Sequence, residues 1–203
     1  EGVDSLGGFD HAVIADYVEA GTFIVAGALT PGKVTVKNVN SDHLALFLAK
    51  LEEIGVKFKV QDKEVVVDYS PDLVAAKVQS LPHPGLATDL VPIMLPLLIK
   101  AKGKSLIHDP LYENRLGYLQ ELRKMGADIE IVDPHRAFVF GPCQLHGVSV
   151  NSLDLRAGAV LILAGLAAAG QTRVKDIFHI DRGYEKIEER LQGLGADIKR
   201  ISK

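Results

Sequence analysis

Three arginines stand where the chain passes from a predicted strand into a predicted helix, and their side chains suit the binding of small anions. They are Arg115, Arg156 and Arg182. A guanidinium group recognises carboxylate or phosphate through two hydrogen bonds in a fixed geometry. A single arginine usually forms a surface salt bridge, so the sequence predicts an anion site only if the fold brings these residues together.

Two aspartates begin predicted buried helices. Asp89 follows Thr88, and Asp154 precedes the segment Leu-Arg-Ala-Gly158. The usual role of such an aspartate is to accept hydrogen bonds from the free backbone N–H groups of the first turn. A carboxylate at this place can instead contact a ligand or accept its proton. The residues alone leave both interpretations open.

Other reactive side chains give weaker indications. Cys143 is the only cysteine and lies beside Pro142 without a predicted base, so a structural role is favoured over a nucleophilic one. The seven histidines show no spacing typical of metal ligands. The sequence therefore predicts no metal site.

The bulk composition excludes several classes of protein. With a formal net charge of −3, the 203-residue chain lacks the basic character of nucleic-acid-binding proteins. The apolar stretches at 90–99 and 157–169 are too short to cross a bilayer and predict buried helices. A single cysteine excludes an internal disulfide and favours a reducing compartment. We expect a cytoplasmic domain that contacts neither nucleic acid nor membrane and, because no Met begins the chain, one that belongs to a longer protein.

Three similar units follow one another along the chain. Each contains a leucine-rich segment that ends in glycine, at Gly55, Gly126 and Gly195, with spacings of 71 and 69 residues. A second glycine marker precedes each of these segments. Repetition of two markers in the same order predicts an internal repeat. A single domain is expected over 1–203, with repeats at approximately 12–70, 77–141 and 148–203.

Each unit has the same predicted elements. The first helix is apolar on nearly all sides, which is typical of a helix buried on every face. The second is amphipathic and ends at the shared glycine. The pattern predicts a mixed α/β domain with central helices and outer sheets. The elements are buried helices at 20–29, 90–101 and 157–169, strands at 34–39, 105–108 and 173–177, amphipathic helices at 42–54, 115–125 and 184–194, and later strands at 64–69 and 137–140.

The third unit is incomplete. After a predicted strand at 197–201 it has no counterpart to the strands at 64–69 and 137–140. An unpaired sheet edge promotes unwanted association. We therefore expect either residues 13–15 or a strand from outside the chain to complete this sheet.

Five motifs resemble those of the UDP-N-acetylglucosamine 1-carboxyvinyltransferases, in the same order and over essentially the whole chain. The resemblance implies an inside-out α/β barrel of three βαβαββ-type repeats, and implies that the chain is a C-terminal domain whose N-terminal partner domain lies outside it. The start of the full chain would complete the third repeat. The motifs are Glu19-Ala-Gly-Thr-Phe23, Pro82-His-Pro84 with Thr88-Asp89, Glu113-Asn-Arg115, Asp154-Leu-Arg-Ala-Gly158 and His179-Ile-Asp-Arg-Gly-Tyr-Glu185.

The resemblance also implies an activity. These enzymes transfer enolpyruvyl from phosphoenolpyruvate to the 3′-hydroxyl of UDP-N-acetylglucosamine, in peptidoglycan synthesis, without a metal or organic cofactor. Asp89 would take the proton of the acceptor hydroxyl, and Arg182 would contact phosphoenolpyruvate when the domains close. Because the reactive cysteine of the family belongs to the other domain, Cys143 would not inherit that role and the isolated chain would be inactive.

Four further residues would contribute to substrate binding by the same resemblance. Leu111 would lie against the UDP-sugar. Arg115 and Arg156 would support the anionic site, and Asp154 would help to position it.

Two positions depart from the family pattern, and they leave an alternative open. Tyr17 stands where the family usually has arginine, and Val91 where it usually has glutamine. The alternative is a stand-alone binding or regulatory module that keeps the fold without catalysis. A third possibility is transfer of enolpyruvyl to a different acceptor alcohol.

Overall fold

The first part of the chain forms two helices and a three-stranded sheet. The computed structural model describes residues 2–113 and 115–201, so Asn114 of the Glu113-Asn-Arg115 motif lies outside the described residues. Strand β3 pairs antiparallel with β1 on one side and with β2 on the other. The elements are α1 (Tyr17–Leu29), β1 (Lys33–Lys37), a 3₁₀ turn (Ser41–Leu44), α2 (Ala45–Ile54), β2 (Lys57–Gln61) and β3 (Glu64–Asp68).

The second part repeats this pattern with one additional strand. Its sheet has the order β4-β5-β7-β6, in which β4 runs parallel to β5 and the other neighbours are antiparallel. The elements are β4 (Lys77–Gln79), α3 (Leu90–Lys100), β5 (Gly103–His108), α4 (Leu119–Lys124), β6 (Asp128–Asp133) and β7 (Arg136–Gly141).

The third part has only a two-stranded parallel sheet, β8-β9, among the described residues. The prediction that the third unit is incomplete is therefore confirmed. The predicted strand at 197–201 and the completing strand at 13–15 are both wrong, because neither segment is paired with another strand of the described chain. The elements are β8 (Ser149–Asn151), α5 (Leu155–Leu166), β9 (Arg173–Lys175), α6 (Phe178–Asp181) and α7 (Ile187–Gly193).

The core is built around α1, α3 and α5, each of which contacts the other two. They are buried over most of their length, as their all-round apolar sequences predict. Sheet strands pack on them: β1 and β3 against α1, β7 against α3, and β9 against α5. The predicted mixed α/β fold with central helices and sheets around them is confirmed. None of the described helices is long and apolar enough to cross a membrane.

The shared glycines end the second helix of each unit in the same way. Gly55, Gly126 and Gly195 have φ values of 95°, 97° and 97°, a left-handed conformation that glycine adopts without steric cost. The next residue in each case donates its backbone N–H to a carbonyl five residues earlier, as Val56 does to Leu51. The repeated sequence marker is thus a repeated helix stop.

A close helix–sheet contact at Gly27 gives a test of the core. A Cβ placed on Gly27 of α1 would lie 2.6 Å from Cγ1 of Val67 and 2.9 Å from Cβ of Val34. We expect Gly27→Ala to lower the free energy of unfolding by about 1–3 kcal/mol, because overpacking forces neighbouring groups apart. Urea denaturation of the chain measures this change.

Gly193→Ala is the matched control. Gly193 ends α7, and a Cβ added there would meet no atom of the described residues within 4 Å. Alanine at this position should leave the stability unchanged or raise it by up to about 1 kcal/mol through its helix propensity. Equal stability of the two variants would contradict the proposed close packing of α1 on its sheet.

Candidate functional site

The first turns of α1, α3 and α5 lie close together, and each helix has an aspartate at its N-cap. Asp16 accepts hydrogen bonds from the backbone N–H groups of Val18 and Glu19. Asp154 accepts them from Arg156 and Ala157, both at 2.9 Å. Asp16 and Asp154 therefore cap their helices, which is the usual role of an aspartate at a helix start.

Asp89 does not cap its helix, although it occupies the same position at the start of α3. Its side chain makes no hydrogen bond to the first turn. Instead, Oδ1 of Asp89 lies 3.1 Å from Nη1 of Arg115 and 3.6 Å from Nε of Arg156. The fold thus brings together one predicted aspartate and two of the three predicted arginines.

One oxygen of Asp89 remains available. Both arginines approach Oδ1, whereas Oδ2 accepts no hydrogen bond from the described residues. The side chain of Asp89 keeps 43% of its surface exposed, compared with 20% for Arg115 and 15% for Arg156. A carboxylate held on one oxygen and open on the other can accept a hydrogen bond from an incoming hydroxyl group.

Arg156 connects two of the helix starts. Its Nη2 donates to Oδ2 of Asp154 at 3.1 Å, while its Nε faces Asp89. Its Nη1 is buried and has no hydrogen-bond partner among residues 2–113 and 115–201. Leaving a charged donor buried without a partner is costly. This guanidinium is therefore well suited to an anionic ligand.

Arg115 has a second contact, with an aromatic ring. Its guanidinium carbon lies 4.3 Å from the centre of the Tyr112 ring, a cation–π contact within the loop between β5 and α4. Leu111, at the start of this loop, is partly buried. The predicted role of Leu111 against a sugar nucleotide stays a prediction.

Arg182 does not join the cluster. It is exposed at the end of α6, and it forms no ion pair with the residues that the structure describes. The residue two places later, Tyr184, connects this segment to the site, because its hydroxyl lies 2.8 Å from Oγ1 of Thr22 in α1. An ion pair between Arg190 and Glu19 makes a second connection to α1.

Two tyrosines near the charged groups of the site, Tyr118 and Tyr17, have raised pKa values. Burial raises the pKa of Tyr118, with Arg156 opposing the shift and the carboxylates of Asp109 and Asp154 adding to it. Burial and the nearby carboxylate of Asp89 raise the pKa of Tyr17 as well. Tyr17, where the sequence departs from the family pattern, thus lies near Asp89. Val91, the other departure, is fully buried in α3.

A buried carboxylate lies behind the site, at a position that sequence reasoning missed. Asp109 is 2% exposed and accepts hydrogen bonds from the hydroxyl groups of Ser80, at 2.5 Å, and Thr88, at 2.6 Å. Its position directly after β5 and before Pro110 is the only sequence signal for it. Tyr118 was missed in the same way, because an isolated tyrosine in a predicted amphipathic helix has no local feature that marks it as buried.

Cys143 lies away from this cluster and has structural contacts. Its thiol donates to the carbonyl of Phe140 at 2.9 Å, and its sulfur is 3.4 Å from the backbone nitrogen of Asp128. No group of three or more His, Cys, Asp or Glu residues within the described ranges is arranged to hold a metal ion.

Comparison with known proteins identifies the family. A family model described as EPSP synthase (3-phosphoshikimate 1-carboxyvinyltransferase) matches residues 1–191. The chain belongs to this enolpyruvyl transferase family. Among curated relatives, the UDP-N-acetylglucosamine 1-carboxyvinyltransferase of Halothermothrix orenii is 48% identical over 201 residues, which are 99% of the chain and 48% of that enzyme. An enzyme of this name, numbered 2, from Streptococcus thermophilus is 45% identical over 99% of the chain and 48% of its own length.

Solved structures agree with this assignment. The enolpyruvyl transferase NikO from Streptomyces tendae is 32% identical and has a TM-score of 0.85, over 92% of the chain and 44% of NikO. EPSP synthase from Acinetobacter baumannii has a TM-score of 0.70 at 19% identity, over 95% of the chain and 45% of the synthase, which shows a shared fold. The resemblance to UDP-N-acetylglucosamine 1-carboxyvinyltransferases is confirmed, and the chain spans about half the length of these relatives.

The pH dependence of the free energy of unfolding tests whether the Tyr184 hydroxyl is buried. Burial raises its pKa to about 12, the hydrogen bond with Thr22 opposes the shift, and the carboxylates of Asp16, Glu19 and Asp89 add to it. Between pH 10 and 12 the unfolded chain loses this proton while the folded chain keeps it, so stability falls as pH rises. Tyr184 should contribute up to about 1.4 kcal/mol per pH unit to this fall.

Urea denaturation from pH 9 to 12 measures the effect. We expect Tyr184→Phe to unfold more readily at pH 9, because the hydrogen bond with Thr22 is lost, but to show a shallower decline above pH 10. Parallel declines for the two proteins would show that the Tyr184 hydroxyl is accessible to water.

Proposed function

We propose that the chain is the C-terminal half of an enzyme that transfers enolpyruvyl from phosphoenolpyruvate to the 3′-hydroxyl of UDP-N-acetylglucosamine. The curated relatives named above, at 45% and 48% identity, carry this activity in their names. The observation on which the proposal depends is the state of Asp89, which two arginines hold by Oδ1 while Oδ2 accepts no hydrogen bond from the described residues.

The reaction explains why these groups are needed together. The acceptor oxygen forms a bond to C2 of phosphoenolpyruvate, the bond from C2 to the phosphate oxygen breaks, and inorganic phosphate leaves. The acceptor hydroxyl loses its proton in this exchange, so a base must lie within hydrogen-bond distance of it. Oδ2 of Asp89 is the oxygen that we assign to this role.

The guanidinium groups would stabilise the negative charges of phosphoenolpyruvate. Arg156 carries a buried Nη1 without a partner in the described part of the chain, and Arg115 contacts the same oxygen of Asp89 as Arg156 does. Fixed cationic groups stabilise charge that develops during reaction because they need no reorganisation. Asp154 holds Arg156 in place, and Arg182 would reach the ligand when the partner domain closes over the site. Leu111 would contact the sugar nucleotide.

The partner in this proposal is the N-terminal domain of the same protein, which would supply the reactive cysteine loop. The complete enzyme would act in the cytoplasm on soluble substrates. Because the chain spans about half of its relatives, we expect the site to need both domains.

Replacement of Asp89 tests the assigned base. In the full-length protein, Asp89→Asn keeps the size of the side chain but removes its ability to accept a proton, so phosphate release should fall by about 10²–10⁴-fold. Phosphate release with phosphoenolpyruvate and UDP-N-acetylglucosamine measures it. Asp62→Asn, in the exposed turn between β2 and β3, is the control and should retain full activity. Full turnover by Asp89→Asn would eliminate the base role.

The full-length protein distinguishes the half-enzyme from the alternative of a stand-alone module. A half-enzyme should release no phosphate by itself, whereas the full-length protein should release it with both substrates present. If the full-length protein is inactive with UDP-N-acetylglucosamine and with other acceptor alcohols, the non-catalytic module is favoured. Activity of the isolated chain would contradict the shared site.

A further inference from the structure

A buried carboxylate next to the site has no place in the reaction described above. Asp109 follows β5, is 2% exposed, and forms no ion pair with the described residues. Its two oxygens each accept a short hydrogen bond, Oδ1 from Ser80 at 2.5 Å and Oδ2 from Thr88 at 2.6 Å. Thr88 directly precedes Asp89, so this carboxylate holds the neighbour of the proposed base.

The backbone of Asp109 is itself fixed from two sides. Its N–H donates to the carbonyl of His135 at 2.8 Å, and Nδ1 of His135 lies 3.0 Å from the carbonyl oxygen of Asp109. The N–H of Ser80 donates to the carbonyl of His108 at 3.0 Å, which joins the end of β4 to the end of β5. Asp109 is therefore held by hydrogen bonds at the end of β5, an inner strand of the four-stranded sheet.

The segment that carries Asp89 lies outside the sheet. Between β4 and α3 the chain follows an irregular course through two prolines and Gly85. Two backbone hydrogen bonds lie within this loop, from Leu81 to Leu86 and from Gly85 to Pro82, and a third joins it to α3, from Leu90 to Ala87. Asp89 makes no capping hydrogen bond that would fix it to α3. Ser80 joins the start of this loop to Asp109, and the Thr88–Asp109 contact joins its end, next to Asp89, to the same carboxylate.

We propose that Asp109 is a positioning residue that acts through Thr88 to hold Asp89 in place. The proposal rests on the proposed function, in which Oδ2 of Asp89 must meet an acceptor hydroxyl. An ionised carboxylate can accept a hydrogen bond from one hydroxyl group on each of its two oxygens. A neutral amide has only one oxygen that accepts hydrogen bonds. Small displacements of a reacting group lower rates strongly, by about 10²-fold for about 1 Å.

Substitution of Thr88 in the full-length protein tests this role. Thr88→Val keeps the branched shape and removes the hydroxyl, and we expect kcat to fall about 10–100-fold with KM for phosphoenolpyruvate nearly unchanged. Thr88→Ser retains the hydroxyl and should restore kcat to near the unsubstituted value. Thr30→Val is the matched control, because it removes a hydroxyl bonded to the carbonyl of Ala26 at the far end of α1.

A double substitution distinguishes positioning from a general effect on the fold. If Thr88 acts only through Asp89, then Thr88→Val should cause no further loss of kcat in the Asp89→Asn protein. A multiplicative loss in the double variant would show that Thr88 acts independently of Asp89, and would overturn the proposal. Asp109→Asn should show the same fall in kcat as Thr88→Val, provided that it folds. If it does not fold, Thr88→Val alone tests the proposal.

The two proposals fail in different ways. Wild-type kcat for Thr88→Val together with an inactive Asp89→Asn would overturn the positioning role and leave the proposed function intact. Full activity of Asp89→Asn would overturn the base role and with it the positioning role, whereas absence of phosphate release from the unsubstituted full-length protein would overturn the proposed function. Loss of activity in Thr88→Ser equal to that in Thr88→Val would show that the hydroxyl is not the group that matters, and would also overturn the positioning role.

Discussion

Mutual packing of α1, α3 and α5 is the constraint on which the rest of the structure depends. These helices are apolar on all sides, so each is buried against the other two and against a sheet. The packing places their first turns side by side. The free backbone N–H groups of these turns and the three N-cap aspartates, Asp16, Asp89 and Asp154, therefore lie in one region. Buried polar groups beside such a core need partners, and Asp89 and Asp154 provide them for part of the Arg156 guanidinium.

Much of the fold follows from local sequence signals, and the errors share a physical cause. The ends of the second helices were predicted correctly because the signal of a left-handed glycine acts within one segment, but α2, α4 and α7 begin three or four residues later than predicted. The three-residue strands Lys77–Gln79 and Ser149–Asn151 were missed because their parallel partners lie more than twenty residues away. The segment 197–201 contains Ile198 and Ile201 but pairs with no strand of the described chain, so alternation alone did not make a strand.

The candidate site was predictable in part. Repeated strand–helix junctions suggested that the fold could bring Arg115 and Arg156 together, and both lie against Asp89. Sequence could not decide which aspartates cap helices, because capping depends on the backbone angles at one residue. Asp154 caps and Asp89 does not, although both begin buried helices. Asp109 could not be predicted, since its two hydroxyl partners, Ser80 and Thr88, lie more than twenty residues earlier in the chain and only the fold brings them to it.

The two-stranded third sheet has a consequence for local stability. Sheets of two strands are marginal by themselves, and segments with few buried contacts open at lower free energy than the rest of a domain. Arg156 begins the helix that packs on this sheet, and Arg182 lies in the connection beyond it. The parts of the site carried by the third unit are thus attached to its least reinforced sheet, while Asp89 and Asp109 are attached to the four-stranded one. Transient opening would therefore move Arg156 and Asp154 away from Asp89 and leave Asp89 and Asp109 in place.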